Sequence, residues 1–141
     1  MNRLTEIITR LNAECPEISG RVLGSSELAS STTESIIPPC AFVMPVGKKY
    51  SENKSVGGFL QRVEKRFAVI VCTANYADIT GEAANEERET VEAEILAALQ
   101  DWQPSWAALS IEATDDRIVD YDDSILRWSY FFKTQFYYRK V

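Results

Sequence analysis

Residues 60–73 read LQRVEKRFAVIVCT, and this stretch decides the fold. Val63, Phe67, Val69 and Val71 share one face under the period of two that a strand imposes. The other face opens with Arg62, Glu64 and Arg66 and turns apolar at Ile70 and Cys72. That pattern predicts the longest strand of the chain. Its polar first half projects beyond a core, and its second half lies centrally in a sheet.

Downstream, an amphipathic helix is expected from about Ala84 to Gln100, with Val91, Ile95, Ala98, Leu99 and then Trp102 as its apolar stripe. The early acids Glu86, Glu87 and Glu89 suit the positive end of its dipole. Pro104 closes that region. Ala107–Ala113 reads as a strand with Leu109 and Ile111 on one face, Asp115-Asp116 as a turn, Ile118–Tyr121 as a short strand and Asp122-Asp123-Ser124 as another turn. The last strand starts near Ile125. Leu126, Trp128, Tyr130, Phe132, Phe136 and Tyr138 share one face, and Arg127, Ser129, Lys133, Gln135 and Arg139 the other. Phe131 and Tyr137 break the polar side of that alternation. An aromatic pair there either packs against helices or meets another subunit.

Upstream, Leu4, Ile7, Ile8 and Leu11 mark one face of a helix from about Asn2 to Glu14, stopped by Pro16. Arg21-Val22-Leu23 is a short strand, and Ser25 or Ser26 caps a helical turn through Leu28. Cys40–Met44 is a buried strand bracketed by Pro39 and Pro45. Val46–Gly58, with Lys48, Lys49, Tyr50 and Lys54, reads as an exposed and mobile hairpin tip, either solvated padding or a contact arm. The resulting class is α+β: one small mixed, mostly antiparallel sheet with two main amphipathic helices packed against it, in a single domain over residues 1–141.

Bulk properties narrow the function. The chain has 141 residues, 45% of them hydrophobic and 26% charged, as in folded globular domains. No apolar run reaches the roughly 18 residues of a membrane span, and the first helix is too interrupted by charge for a secretory signal. The net charge of −6 disfavours a broad nucleic-acid surface. Histidine is absent, which removes the commonest general base and metal ligand. Cys15, Cys40 and Cys72 have no metal-type spacing and read as reduced, buried thiols. The acids Asp115, Asp116, Asp120, Asp122 and Asp123 lack the EF-hand spacing and read as solvated turns. Trp102, Trp106 and Trp128 read as packing residues. No phosphate-binding glycine loop is present. No cofactor, no metal and no catalytic residue is expected.

The order of the pieces resembles the bacteriophage tail terminator family, with its lambda-type fold. The residues that carry it are an opening helix ending in Glu14-Cys15-Pro16, then Gly20-Arg21-Val22 and Ser26-Glu27-Leu28-Ala29. They continue with 39–45 (PCAFVMP), 61–69 (QRVEKRFAV), the helix leading into Trp102-Gln103-Pro104, and a closing strand with Trp128 and Phe132. The resemblance implies a structural virion protein of the tail and neck, assembled in the host cytoplasm. It implies a homo-hexameric ring that caps the head-proximal end of a tail tube. The partners implied are the tail tube protein, a head-side connector or stopper, and the sheath protein where the tail is contractile. DNA passes through such a ring without sequence-specific binding. Lys48, Lys49, Tyr50, Lys54, Phe131 and Tyr137 are the candidate subunit or tube contacts. Two other readings stay open: another neck or head-completion adaptor, and a small-molecule-binding α/β domain.

Overall fold

The computed structural model describes residues 3–25, 37–53, 57–74, 82–122 and 124–140. Helix α1 spans Arg3–Glu14 and a single 3-10 turn follows at Pro16–Ile18. The strands are β1 (Val22–Gly24), β2 (Cys40–Asn53) and β3 (Phe59–Ala74); then come helix α2 (Glu82–Leu99), β4 (Glu112–Asp122) and β5 (Ile125–Lys140). One five-stranded sheet runs in the order β1-β2-β3-β5-β4. Only the β1–β2 pairing is parallel. The fold is the α+β arrangement expected.

Both helices lie on one side of the sheet. Leu4, Ile7 and Leu11 of α1 and Val91, Ile95, Ala98 and Leu99 of α2 are buried against Val43, Phe67, Val69, Val71, Tyr130 and Phe132. Each large apolar side chain sealed there contributes about 1.5–3 kcal/mol. Phe67 and Phe132 are cross-strand partners, and their rings stack with centroids 5.4 Å apart. Asn12 closes the turn after α1. Its Oδ1 accepts the N–H of Gly20 at 2.8 Å and of Val22 at 3.2 Å. Gly20 sits at a φ of 79°, a left-handed conformation that costs a glycine little.

Trp128 packs on the same core, and the buried Arg88 guanidinium lies 4.1 Å from its ring centroid. Arg88 Nη1 also donates to the Tyr130 hydroxyl at 2.6 Å, pinning α2 to the middle of β5. On the opposite sheet face Cys40, Phe42, Cys72 and Ile125 form a second buried cluster. The later half of β3 is therefore buried on both faces, as its sequence predicts.

Four expectations are corrected. Pro45 does not end its strand: β2 continues to Asn53, and the expected Val46–Gly58 loop is mostly one side of a long hairpin. Among the described residues β2 has no outer neighbour beyond Val43, so a missing proline N–H is tolerated there. A register shift follows directly between Pro45 and Gly47. Ala107–Ala113 is not a strand, because β4 begins only at Glu112. Residues before it form irregular turns, held by Ala108 N–H to Gln135 O at 2.7 Å and Ile111 N–H to Trp102 O at 2.8 Å. Leu109 is consequently 51% exposed while Ile111 is sealed, so their shared parity was coincidence. Asp115-Asp116 is no turn but lies within β4, between two register shifts. Cross-strand bonds hold these acids in place: Trp128 Nε1 donates to Asp116 at 2.9 Å, and Arg127 pairs with Asp120 at 2.8 Å. Helix α2 starts at Glu82, two residues ahead of the expected Ala84. The turn expected from Ser25 or Ser26 through Leu28 lies, beyond Ser25, outside the described residues.

Candidate assembly interface

The hairpin β2–β3 and the end of β5 extend past the helices as a three-stranded ribbon. Its register runs Lys48↔Lys65↔Thr134, Lys49↔Glu64↔Gln135 and Tyr50↔Val63↔Phe136, with Phe59 reaching Lys140 at the tip. β4 stops pairing at Lys133, so the ribbon is not flanked by it. This is the projecting polar half expected of β3.

Of the candidate contact residues, Lys48, Lys49, Tyr50 and Tyr137 come together on this ribbon. Lys54 lies outside the described residues. Tyr50 and Tyr138 stack across it, centroids 6.4 Å apart, and both are exposed because no helix covers them. Tyr137 pairs with Arg62 on the face away from the helices and is 49% exposed. Phe131 is elsewhere. It sits on that same outer face but near the middle of the sheet, opposite Ala68 and Asp115. The Arg117 guanidinium lies 4.7 Å from its ring centroid. An open groove of about 300 Å³ runs past it, lined by Val46, Arg66, Arg117 and Lys133 among others.

Two residues central to the ribbon escape a reading of helix and strand stripes. Lys65 occupies the core-side slot between Val63 and Phe67 and is only 7% exposed. Its parity alone marks it, a cation in an apolar row. Arg3, in the first turn of α1, places its guanidinium 4.2 Å from the Phe136 ring centroid, and Lys48 Nζ lies 6.0 Å from that same ring. Trp106 meets Phe136 edge-on at 6.1 Å and donates its indole N–H to Arg3 O at 3.1 Å. Burial, then the charges of Lys48 and Arg3, hold the Lys65 ammonium below the ordinary lysine range.

The thiols are all buried. Desolvation, with Glu94 and Glu14 adding to it, pushes Cys15 up to about 12. Cys40 and Cys72 face each other across β2 and β3; a hydrogen bond to Cys40 and burial raise Cys72. Cys15 and Cys72, so raised, are weak nucleophiles, whereas the hydrogen bond from Cys72 lowers buried Cys40. Among the described residues no three His, Cys, Asp or Glu side chains converge on a metal-sized site. No described helix is long and apolar enough to cross a membrane.

The chain matches the family model described as "Phage tail terminator protein" over residues 1–140. It belongs to the phage tail terminator family. It is thus a structural protein of a phage tail. A solved structure titled "Virion of native gene transfer agent (GTA) particle" contains a chain of similar fold. The TM-score is 0.60 at 10% identity, over 97% of this chain and 93% of that one. No curated protein sequence matches.

Proposed function

We propose that this chain forms a hexameric ring on the head-proximal end of a phage tail tube. There it stops further tube growth and presents the docking surface for the head-side connector. The observation that carries this reading is the family match over nearly the whole chain. The chemistry of such a cap is surface complementarity alone, with no catalytic step, and its place is the virion.

The geometry supplies surfaces suited to a ring. A ring of identical subunits needs two different faces on each subunit that fit each other. The two edges of this sheet differ in charge. The β2 edge beyond Val43 carries Lys48 and Lys49, and the β4 edge carries Asp115, Asp116 and Asp120. Joining strands edge to edge gives main-chain hydrogen bonds, and the opposed charges select the register. Tyr50 and Tyr137 on the ribbon are placed to touch a neighbouring subunit or the tube. The acidity of the chain as a whole suits a bore that DNA must cross without sticking. The sheath protein is a further neighbour where the tail is contractile.

The test is to add the purified chain to tail tube protein during polymerisation. The proposed function predicts density at one end of each tube and arrested growth from that end. Tubes that lengthen unchanged, with the chain left in solution, contradict it. Binding to isolated connectors but not to tubes points instead to a neck adaptor.

A further inference from the structure

Arg3 and Lys48 lie over Phe136 at the base of the ribbon, and Lys65 stands opposite Lys48 in the ladder. Among the described residues none of the three has a carboxylate within ion-pair distance; the ion pairs present there use Arg10, Arg66, Arg88, Arg127 and Lys133. Lys65 is more than nine-tenths buried with no hydrogen-bond acceptor there, and the Arg3 Nε is buried and unpartnered as well. The acids nearest in the register and the helix are engaged elsewhere. Glu64 pairs with Arg66 at 2.7 Å, and Glu6 accepts the N–H and hydroxyl of Ser105 at 3.0 and 2.6 Å. Cations crowded together, one of them on a largely buried side chain, are costly to leave uncompensated.

We propose that Lys48 and Lys65 form a socket, with Arg3 behind them adding positive charge, for a carboxylate carried by the edge strand β4 of a second copy of this chain. This rests on the ring reading above and names the chemistry of its contact. Charge complementarity selects the occupant. β4 is exposed from Thr114 to Tyr121, with Ile118 and Val119 about half open to solvent. Its acids alternate as the lysines of β2 do. Asp116 lies on the helix side with Tyr130 and Asp115 on the outer side with Phe131, while Lys48 lies on the helix side with Lys65 and Lys49 on the outer side with Glu64. When β4 of one copy runs beside β2 of the next, acid meets base on both faces. Lys65, beneath Lys48, then gains the counter-charge its own chain withholds.

The experiment uses the full chain and three variants, followed by sedimentation velocity and thermal melting. Lys65→Met keeps the stem and removes the charge; it should melt no lower than the wild type and associate at least tenfold more weakly. Lys48→Glu, at an exposed position, should do the same and serves if Lys65→Met fails to fold. Asp115→Lys combined with Asp116→Lys should also be monomeric. Mixing it with Lys48→Glu should restore association, at least to dimers, since each partner keeps one intact edge. Wild-type association by folded Lys65→Met or Lys48→Glu overturns the socket and leaves the ring reading standing. A wild-type chain that never self-associates and never caps tubes overturns both. Rings that persist in Lys65→Met while tube capping is lost put the carboxylate on the tube subunit and overturn the second copy as occupant.

Discussion

Lys48 lies directly opposite Lys65 across the β2–β3 ladder, although Pro45, three residues earlier, lies opposite Phe67, only two residues later. The extra residue is Val46, left over in a bulge. Without that bulge, strict alternation would turn Lys48 and Tyr50 to the outer face and bring Gly47 and Lys49 onto the core side. One additional residue therefore sets two ammonium groups face to face, an arrangement that weakens a strand pair. In the isolated chain, Lys65→Met should raise stability by about 0.5–1 kcal/mol. Thermal or urea unfolding measures it, and a clear loss of stability would mean that Lys65 already has a partner within the subunit.

The last strand should divide sharply by parity. Phe132, sealed and stacked on Phe67, should cost about 3–5 kcal/mol when replaced by Ala. Tyr137→Ala should change subunit stability by less than about 0.5 kcal/mol and act on association instead. Phe131, half-buried beneath Arg117, should fall between them. Equal melting losses for Phe132→Ala and Tyr137→Ala would show the ribbon to be packed on both faces.

Arg88 is the polar anchor of the core. Tyr130→Phe removes the acceptor for its short bond and should cost about 1.5–3 kcal/mol, as expected for a hydrogen bond to a charged group. Chemical denaturation of the single variant checks this. An unchanged midpoint would mean that Asn85 and Glu92, at 3.0 and 3.5 Å, suffice to hold the guanidinium.

Alkaline pH should loosen the fold through Cys15. Its folded value is raised, so the folded chain keeps a proton that the unfolded chain gives up. That contribution to stability is whole below about 9, the ordinary thiol value, and is lost as pH rises towards about 12. Each pH unit in that window weakens folding by at most about 1.4 kcal/mol. Cys15→Ala should flatten this slope in pH-dependent melts, and an unaltered slope would assign the loss to other groups.

Where side-chain periodicity is tied to burial, the sequence was legible. α1, α2, β3 and β5 were visible in it because each buries a regular stripe: Leu4, Ile7 and Leu11, or Val63, Phe67 and Val69. β4 and the far half of β2 were not visible, because edge strands bury little and tolerate residues such as Asp115, Asp116 and Lys48 that normally signal turns and loops. The bulge at Val46 also hides the parity of everything after it. Among the candidate contacts, Lys48, Lys49, Tyr50 and Tyr137 do come together in space. Arg3 and Lys65 escaped notice because a cation on a helix start, or in the charged run Glu64-Lys65-Arg66, reads as solvated surface. Their approach to Lys48 depends on β2 pairing with β3 and on α1 packing over β5, which are tertiary facts.

What tails do without this chain tests the cap most directly. Electron micrographs of particles assembled in its absence, with all other virion proteins present, measure tail length and head attachment together. A cap on the head-proximal end predicts tails that are overlong or lack heads, with normal length and joining restored by adding the chain. Tails of normal length, joined to heads in normal numbers, would contradict it.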